Sequence, residues 1–389
     1  MKMSVLNRVF ALALTASLVA CGAPEAKDTK QVNDGPFAII HHEASQQASF
    51  DVVQITDQLS DPWAMVFLPD GDFLITEKTG QVVRVSSDTG QITAITGGPE
   101  VLVSGQGGLL DLALSPDFAT DGRIFLSFAE GTNAQNHTAI ASAVLHGDEL
   151  TDLKTLFQAN TTEKKKGAHF GSRFVLDGKG YLFASIGEGF NWSHEAQNPH
   201  SHFGKIIRLH LDGSVPDDNP FADGVDGAPE IWSYGHRNPQ GLTLHPVTGK
   251  IWESEHGPKG GDEINILQKG GNYGWPKATF GMGYTGKSIS EFSSLPGMVD
   301  SILHWVPSIA PSGLDFYEGD KFPNWNGDLF SGALAGKQLR RIELDGETEA
   351  AQERLLVSMK ERIRDVRSGP DGFLYLLTDS GKLLRLEPS

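Results

Sequence analysis

From Trp63 onward the chain repeats one loose pattern: a short apolar run, a turn rich in Asp, Gly and Pro, then a strand of alternating apolar and polar residues. Copies begin at Trp63 (WAMVFLPDGDFLITEKTGQVVRV), Gly108 (GLLDLALSPDFATDGRIFLSF), Ser172 (SRFVLDGKGYLFASIGE), Gly241 (GLTLHPVTGKIWESEHG) and Ile363 (IRDVRSGPDGFLYLLTDSGKLLRL). A sixth, degenerate copy starts at Ser312 (SGLDFYEGDKFPNWNGDLFSGALAGKQLRRIEL). Alternation with a period of two marks strands, and Asp-Gly pairs between them mark tight hairpins, because few residues other than Gly accept the positive φ these turns need. No amphipathic helical run of any length interrupts the theme. A repeated strand–turn–strand unit points to an all-β propeller, and six copies point to six blades; the irregular spacing alone leaves a seven-bladed propeller or a sandwich open. In a propeller the loops at one end of the blades converge on the axis, so GQGG, HRNPQG and RIRD can meet there although far apart in sequence. Residues 155–170 and 270–310 are the longest strand-poor stretches and are expected to form loops around the mouth.

Length does not choose between two average domains and one large all-β domain, but 45 Gly and 20 Pro favour many short strands and turns. A formal charge of −17 argues against nucleic acid as a partner, since a phosphate backbone is held by clustered Lys and Arg. The N-terminus changes the picture. Lys2 and Arg8 precede an apolar run, Val9 to Ala20, too short for a permanent membrane span, so residues 1–20 read as a secretory signal. Leu18-Val19-Ala20-Cys21 is similar to a bacterial lipobox, after which Cys21, the lone cysteine, carries the lipid. Cleavage there removes two positive charges and leaves −19. Residues 21–48 read as a flexible tether and 49–389 as the propeller domain. Gly22 is compatible with sorting to the outer membrane, facing the periplasm, with membrane contact through the lipid only.

Between Trp232 and Trp275 the chain gathers cations, amides, carboxylates and rigid Gly/Pro steps at a density that folding alone does not require. Arg237 offers a planar fork of donors, Asn238 and Gln240 offer amides, and the Gly-Pro and Gly-Gly steps expose backbone carbonyls. Such a surface suits a polyanionic ligand and a hard cation together. Arg362 and Arg364 are one residue apart, so a strand points both to one face, which makes sense where an anion lies between them; Glu361 and Asp365 offer neutralisation as the alternative. His169, one of 13 histidines, ends a polar loop where an imidazole can take a proton near neutral pH.

The blocks HRNPQG, EHGPKGGDEIN and NYGWP, with GQGGLLDLALSPDF, HFGSRFVLDGKGYLFASIGE and RIRDVRSGPDG, are together specific. From about Phe50 to the C-terminus the chain resembles the soluble pyrroloquinoline quinone (PQQ)-dependent aldose sugar dehydrogenases of the glucose/sorbosone dehydrogenase family. The resemblance implies a six-bladed β-propeller that oxidises aldoses at C1 to lactones, with hydride passing to PQQ and electrons leaving to an external quinone or cytochrome. It implies His169 as general base and Arg237 as both quinone contact and stabiliser of developing negative charge. Gln106, Asn238, Gln240, Arg362 and Arg364 match further PQQ contacts, and Tyr284 is a candidate for stacking on the cofactor's plane. The carbonyls of Gly257 and Pro258 match the ligands of the Ca²⁺ ion that bridges to PQQ, and Glu263 and Tyr273 match a second, structural Ca²⁺ site.

Two positions depart from the family pattern. Ala168 stands where an Asp or Asn precedes the histidine, so a less firmly held base is expected; Ala335 stands at the family's lysine, and Lys337, two residues on, is expected to fill that role after a loop shift. GQGGLLD lacks the spacing and βαβ context of a nicotinamide site, and no CxxCH haem-attachment motif occurs. A calcium-dependent lactonase-type propeller and a non-catalytic cell-surface binding propeller are the competing readings. The first needs carboxylates converging on the axis; the second, loss of the base or the arginines.

Overall fold

The computed structural model describes residues 36–161 and 167–389. The expected signal, Cys21, Gly22 and most of the tether lie outside these residues. Twenty-four strands from Ser49 onward form six antiparallel sheets, each a blade running outward from an inner strand. The inner strands are Pro62–Phe67, Leu109–Leu114, Gly171–Leu176, Pro239–Leu244, Pro311–Phe316 and Ile363–Ser368, and each packs against the next until the sixth meets the first. Every one is the opening strand of a sequence repeat. Between neighbouring blades lies one cluster of buried apolar side chains, six clusters for six interfaces, so the ring closes by burial all the way round. A six-bladed propeller is therefore the fold, with the seven-bladed and sandwich alternatives gone.

Closure is also covalently economical. The sixth blade takes three strands from the C-terminal repeat and completes itself with Ser49–Thr56, which pairs with the C-terminal strand Leu383–Pro388. Outside it lies a fifth strand, Ala38–Ala44, paired with Ser49–Thr56. The tether expected over 21–48 is thus corrected at its C-terminal end. This strand is an edge with most residues exposed, so its composition reads like a linker, yet backbone pairing and the Glu43 carboxylate, which accepts from the Leu356 N–H at 2.9 Å, fix it. Strands also intrude on the expected mouth loops: Glu149–Gln158 enters the 155–170 stretch, and Leu303–Trp305 the 270–310 stretch.

In all six inner strands the register with the second strand slips at the first few pairs. A bulge re-aims side chains and bends the strand. Repeated six times at one end, it turns the leading residues of every blade toward the axis. Below this layer the axis is plugged by buried charge: Arg173 reaches Asp111 at 3.1 Å and Asp365 at 3.2 Å, and Arg367 reaches Asp365 at 3.2 Å. A second, wider cavity of about 740 Å³ opens at the opposite end of the inner strands.

Candidate functional site

At the bulged ends lies an axial cavity of about 380 Å³, within the roughly 300–1,000 Å³ usual for small-molecule sites. All six blades contribute: Trp63, Leu110, Gly171, Gln240, Ala310 and Arg364 come from the start of successive inner strands or the residue just before. Lys78, Gln106, His256, Arg362, Asp61 and Asp379 complete the wall. Three cations against two carboxylates give a positive lining in a chain of net charge −17. An anionic ligand is the chemistry that explains such local concentration.

His169 is buried, 3% exposed, with a left-handed backbone at φ 57°. Its N–H donates to Gln106 Oε1 at 2.8 Å, which ties the GQGG turn to the histidine loop. Its Nδ1 lies 2.8 Å from Glu188 Oε1, on the loop after Tyr181–Ile186. A carboxylate there places the proton on Nδ1 and the lone pair on Nε2, and stabilises the imidazolium formed when Nε2 takes a proton. The expectation of a loosely held base next to Ala168 is corrected: the orienting carboxylate comes from across the hairpin.

The HRNPQG turn packs directly against this pair. Glu188 N–H donates to the Arg237 carbonyl at 2.9 Å, and Asn238 Oδ1 accepts from the Gly171 N–H at 3.1 Å. Gln240 donates to the Gly171 carbonyl at 3.0 Å. The Arg237 guanidinium donates to the carbonyls of His256 and Gly257, both at 2.9 Å, and reaches Tyr284 Oη at 3.4 Å. Tyr284 is exposed and stacks on Phe190, whose ring meets His169 edge-on at 5.2 Å. Arg237 Nε and Asn238 Nδ2 are buried donors without a hydrogen-bond partner, which a bound acceptor would satisfy.

Arg362 and Arg364 do face one side, and both donate to Asp379, at 2.6 and 2.9 Å. Burial works against the Asp379 charge, but Arg364 and Arg362 outweigh it and hold the carboxyl below its usual range. Glu361 and Asp365 are not the partners: Glu361 pairs with Lys382, and Asp365 with Arg173 and Arg367. Lys337 is exposed in the turn between Leu329–Ala333 and Gln338–Asp345 and does not line the cavity. The ammonium that does is Lys78, 3.1 Å from Asp61, so the expectation for Lys337 is corrected: the first blade already supplies the charge.

Gly257 and Pro258 sit in a turn where backbone crowds backbone. A Cβ on Gly257 would lie 2.2 Å from the Gly260 carbonyl oxygen and 2.4 Å from that of Gly261, so only glycine fits this close approach of backbone to backbone. Glu263 and Tyr273 border a small void with Asp300. The Tyr273 hydroxyl is already used, donating to the Ile266 carbonyl and accepting from the Gln268 N–H. Glu263 and Glu253 are both pushed well above the ordinary carboxyl range, first by burial and next by the neighbouring Glu255 charge.

Sequence reading missed Glu188, Asp379, Lys78, Trp63 and His256. His256 lines the cavity with its Nε2 2.7 Å from the Pro311 carbonyl; burial, then the Arg237, His169 and Arg364 charges, lower its pKa to about 3, so it stays neutral and is a poor proton acceptor. The same interactions show that His169, Arg237 and Arg364 share one electrostatic neighbourhood.

The chain is similar to known proteins in sequence and in fold. The aldose sugar dehydrogenase YliI of Escherichia coli (strain K12) is 44% identical over 349 residues, covering 88% of this chain and 94% of that protein. Among solved structures, the apo-form of the soluble aldose sugar dehydrogenase from Escherichia coli matches with a TM-score of 0.84 at 43% identity over 87% of this chain and all (100%) of that one. The PQQ-bound aldose sugar dehydrogenase from Streptomyces coelicolor matches with a TM-score of 0.72 at 29% identity, covering 91% and 98%. Residues 59–385, nearly the whole propeller, match the family described as Glucose / Sorbosone dehydrogenase, and the chain belongs to that family.

Proposed function

We propose that the protein oxidises aldose sugars at C1 to lactones, with PQQ as bound redox cofactor and Ca²⁺ as its metal. The observation that carries the reading is the buried His169–Glu188 pair beside an arginine-lined axial cavity. Bound with Ca²⁺, PQQ would supply the hydride acceptor. Arg362, Arg364 and Lys78 supply the charge to hold its carboxylates, and Arg237, Asn238, Gln240 and Gln106 the donors and contacts nearer the quinone. His169 Nε2 takes the C1 hydroxyl proton as the C1–H bond breaks and C1=O forms, and Glu188 stabilises the imidazolium. The Gly257 and Pro258 carbonyls would hold the calcium ion, and Glu263 and Tyr273 a second, structural one. The lactonase reading fits less well, because the two carboxylates of the cavity wall, Asp61 and Asp379, are engaged by Lys78 and by Arg362 and Arg364. The binding-module reading has no lost base or arginine to support it.

Mixing the apo-protein with Ca²⁺ and PQQ and following dye reduction across a panel of aldoses tests the proposal; no quinone binding at micromolar concentration sinks it. Arg364→Ala is expected to weaken PQQ binding at least about tenfold, the size of one lost charge-assisted contact, with kcat at saturating PQQ changed far less. An unchanged PQQ titration curve would take Arg364 out of the cofactor site. Chelator-stripped protein is expected to regain activity with PQQ only when Ca²⁺ is added back, and recovery with PQQ alone counts against the metal.

Anchoring through Cys21 on an outer membrane facing the periplasm, after removal of residues 1–20, accords with the lone cysteine at the end of the apolar run. Electrons then leave to an external quinone or cytochrome, since the chain has no haem-attachment motif.

A further inference from the structure

Behind the Arg237 turn, away from the cavity wall, three buried side chains converge. Glu253 and Glu255 are two apart on the strand Ile251–Glu255 and so point to one face, and His236 enters from the turn before Pro239–Leu244. One candidate ligand atom from each lies within 4.8 Å of the others. Glu253 and His236 are 0% exposed and Glu255 4%.

Each of the three is fixed through one atom. His236 Nε2 lies 2.9 Å from Ser233 Oγ, and its ring stacks on Tyr273 at 4.4 Å. Glu253 Oε2 accepts from Asn265 Nδ2 at 3.0 Å, and Glu255 Oε2 accepts from the N–H groups of Arg237 and Asn238. The other atoms are left over: His236 Nδ1 and Glu253 Oε1 are buried without a hydrogen-bond partner, and Glu255 Oε1 stands 3.5 Å from His236 Nδ1. That spacing is close to the roughly 3.4 Å edge of a tetrahedron built on zinc bonds of about 2.1 Å. Among the described residues no Lys or Arg side chain forms an ion pair with Glu253, Glu255 or Glu263. Two carboxylates and an imidazole buried together, each oriented by a partner on its far atom, are the arrangement of a metal ligand set.

We propose that His236 Nδ1, Glu253 Oε1 and Glu255 Oε1 bind a divalent transition metal of the zinc class, at a site adjoining the one bordered by Glu263 and Tyr273 and distinguished from it by the imidazole donor. The imidazole selects against Ca²⁺, which takes oxygen donors, and favours a borderline cation. Glu255 pairs across the strands with Glu263 and borders a void with it and Tyr273, while Asn265 donates to Glu253 and, at 3.5 Å, to Glu263, so the two sites adjoin and differ in their donors. Because Glu255 also holds the N–H groups of Arg237 and Asn238, the metal serves as a brace for the turn that aims those two side chains.

The test uses full-length apo-protein without PQQ, so its failure is distinguishable from failure of the oxidoreductase reading. The protein is incubated with Zn²⁺ in the presence of excess Ca²⁺ to fill oxygen-only sites, desalted, and its zinc measured by elemental analysis. Wild type is expected to retain one zinc per chain more than Glu253→Gln or His236→Gln, whose zinc affinity falls about 10- to 100-fold or further. Zn²⁺ is also expected to raise the melting temperature of wild type and not of the variants. Folded wild type that keeps no zinc, or variants that keep as much as wild type, overturns the proposal. The wild-type measurement decides the matter even if a variant fails to fold.

Discussion

Replacing His169 with asparagine is expected to lower kcat/KM for aldose oxidation by about a thousandfold, about 4 kcal/mol of barrier, while PQQ binding stays nearly unchanged. Asparagine is the right replacement because position 169 has φ 57°, a left-handed conformation that Asn adopts more readily than most residues. The N–H to Gln106 is then kept, and what is lost is the imidazole opposite Glu188. Proton acceptance requires a neutral ring nitrogen, and asparagine offers no basic nitrogen in its place. His256 does not take over, since burial and the surrounding cations keep it from holding a proton above about pH 3 and its Nε2 is committed to the Pro311 carbonyl. A variant that binds PQQ and turns over within tenfold of wild type would place the base elsewhere.

That residue was legible as a candidate, but its partner was not, and the reason is geometric. The DGKG turn fixes the hairpin register near its tip, where Leu176 faces Leu182. Carried down without interruption, that register sets His169 opposite Gly189. A bulge between Gly171 and Phe174 shifts the pairing by one, so Gly171 faces Ile186 and Glu188 comes opposite His169. The sixth blade repeats the lesson: the slip between Ile363 and Asp365 brings Asp379 beside Arg362 and Arg364. Turn chemistry and period-two patterning are local and were readable, and they marked the six inner strands, while the choice of six blades over seven or a sandwich rested on the family resemblance. One-residue slips leave no mark in composition, and they decide which carboxylate meets which cation.

The same limit applies at the margins. Ala38–Ala44 is an edge strand whose stability comes from backbone pairing, so its polar sequence looks like linker. Lys78 belongs to the first blade, in the turn after Phe73–Glu77, and nothing near it in sequence marks it as the ammonium of a site built largely from other blades.

Arg173→Met is expected to destabilise the fold by about 3–5 kcal/mol, the usual cost of removing one partner from a buried ionic group. Arg173 is 1% exposed, and its guanidinium serves Asp111, Asp365, the Gln240 carbonyl and the face of Trp63, 4.1 Å from the ring centroid. Methionine fills much of the volume but none of these roles. Asp111, whose carboxyl burial already pushes up against the pull of Arg173 and Arg367, would keep the Phe174 and Leu112 N–H groups but have Arg367, at 3.8 Å, as its remaining cation. Protonation would relieve part of the loss, so the variant should recover stability as pH falls into the carboxyl range, against the usual acid trend. The damage should also reach the cavity, because Trp63 and Gln240 both line it and both lean on this guanidinium. A urea midpoint unchanged from wild type at neutral pH would show that the axial charges are solvated rather than sealed, and that the plug between the two cavities is not part of what holds the six blades together.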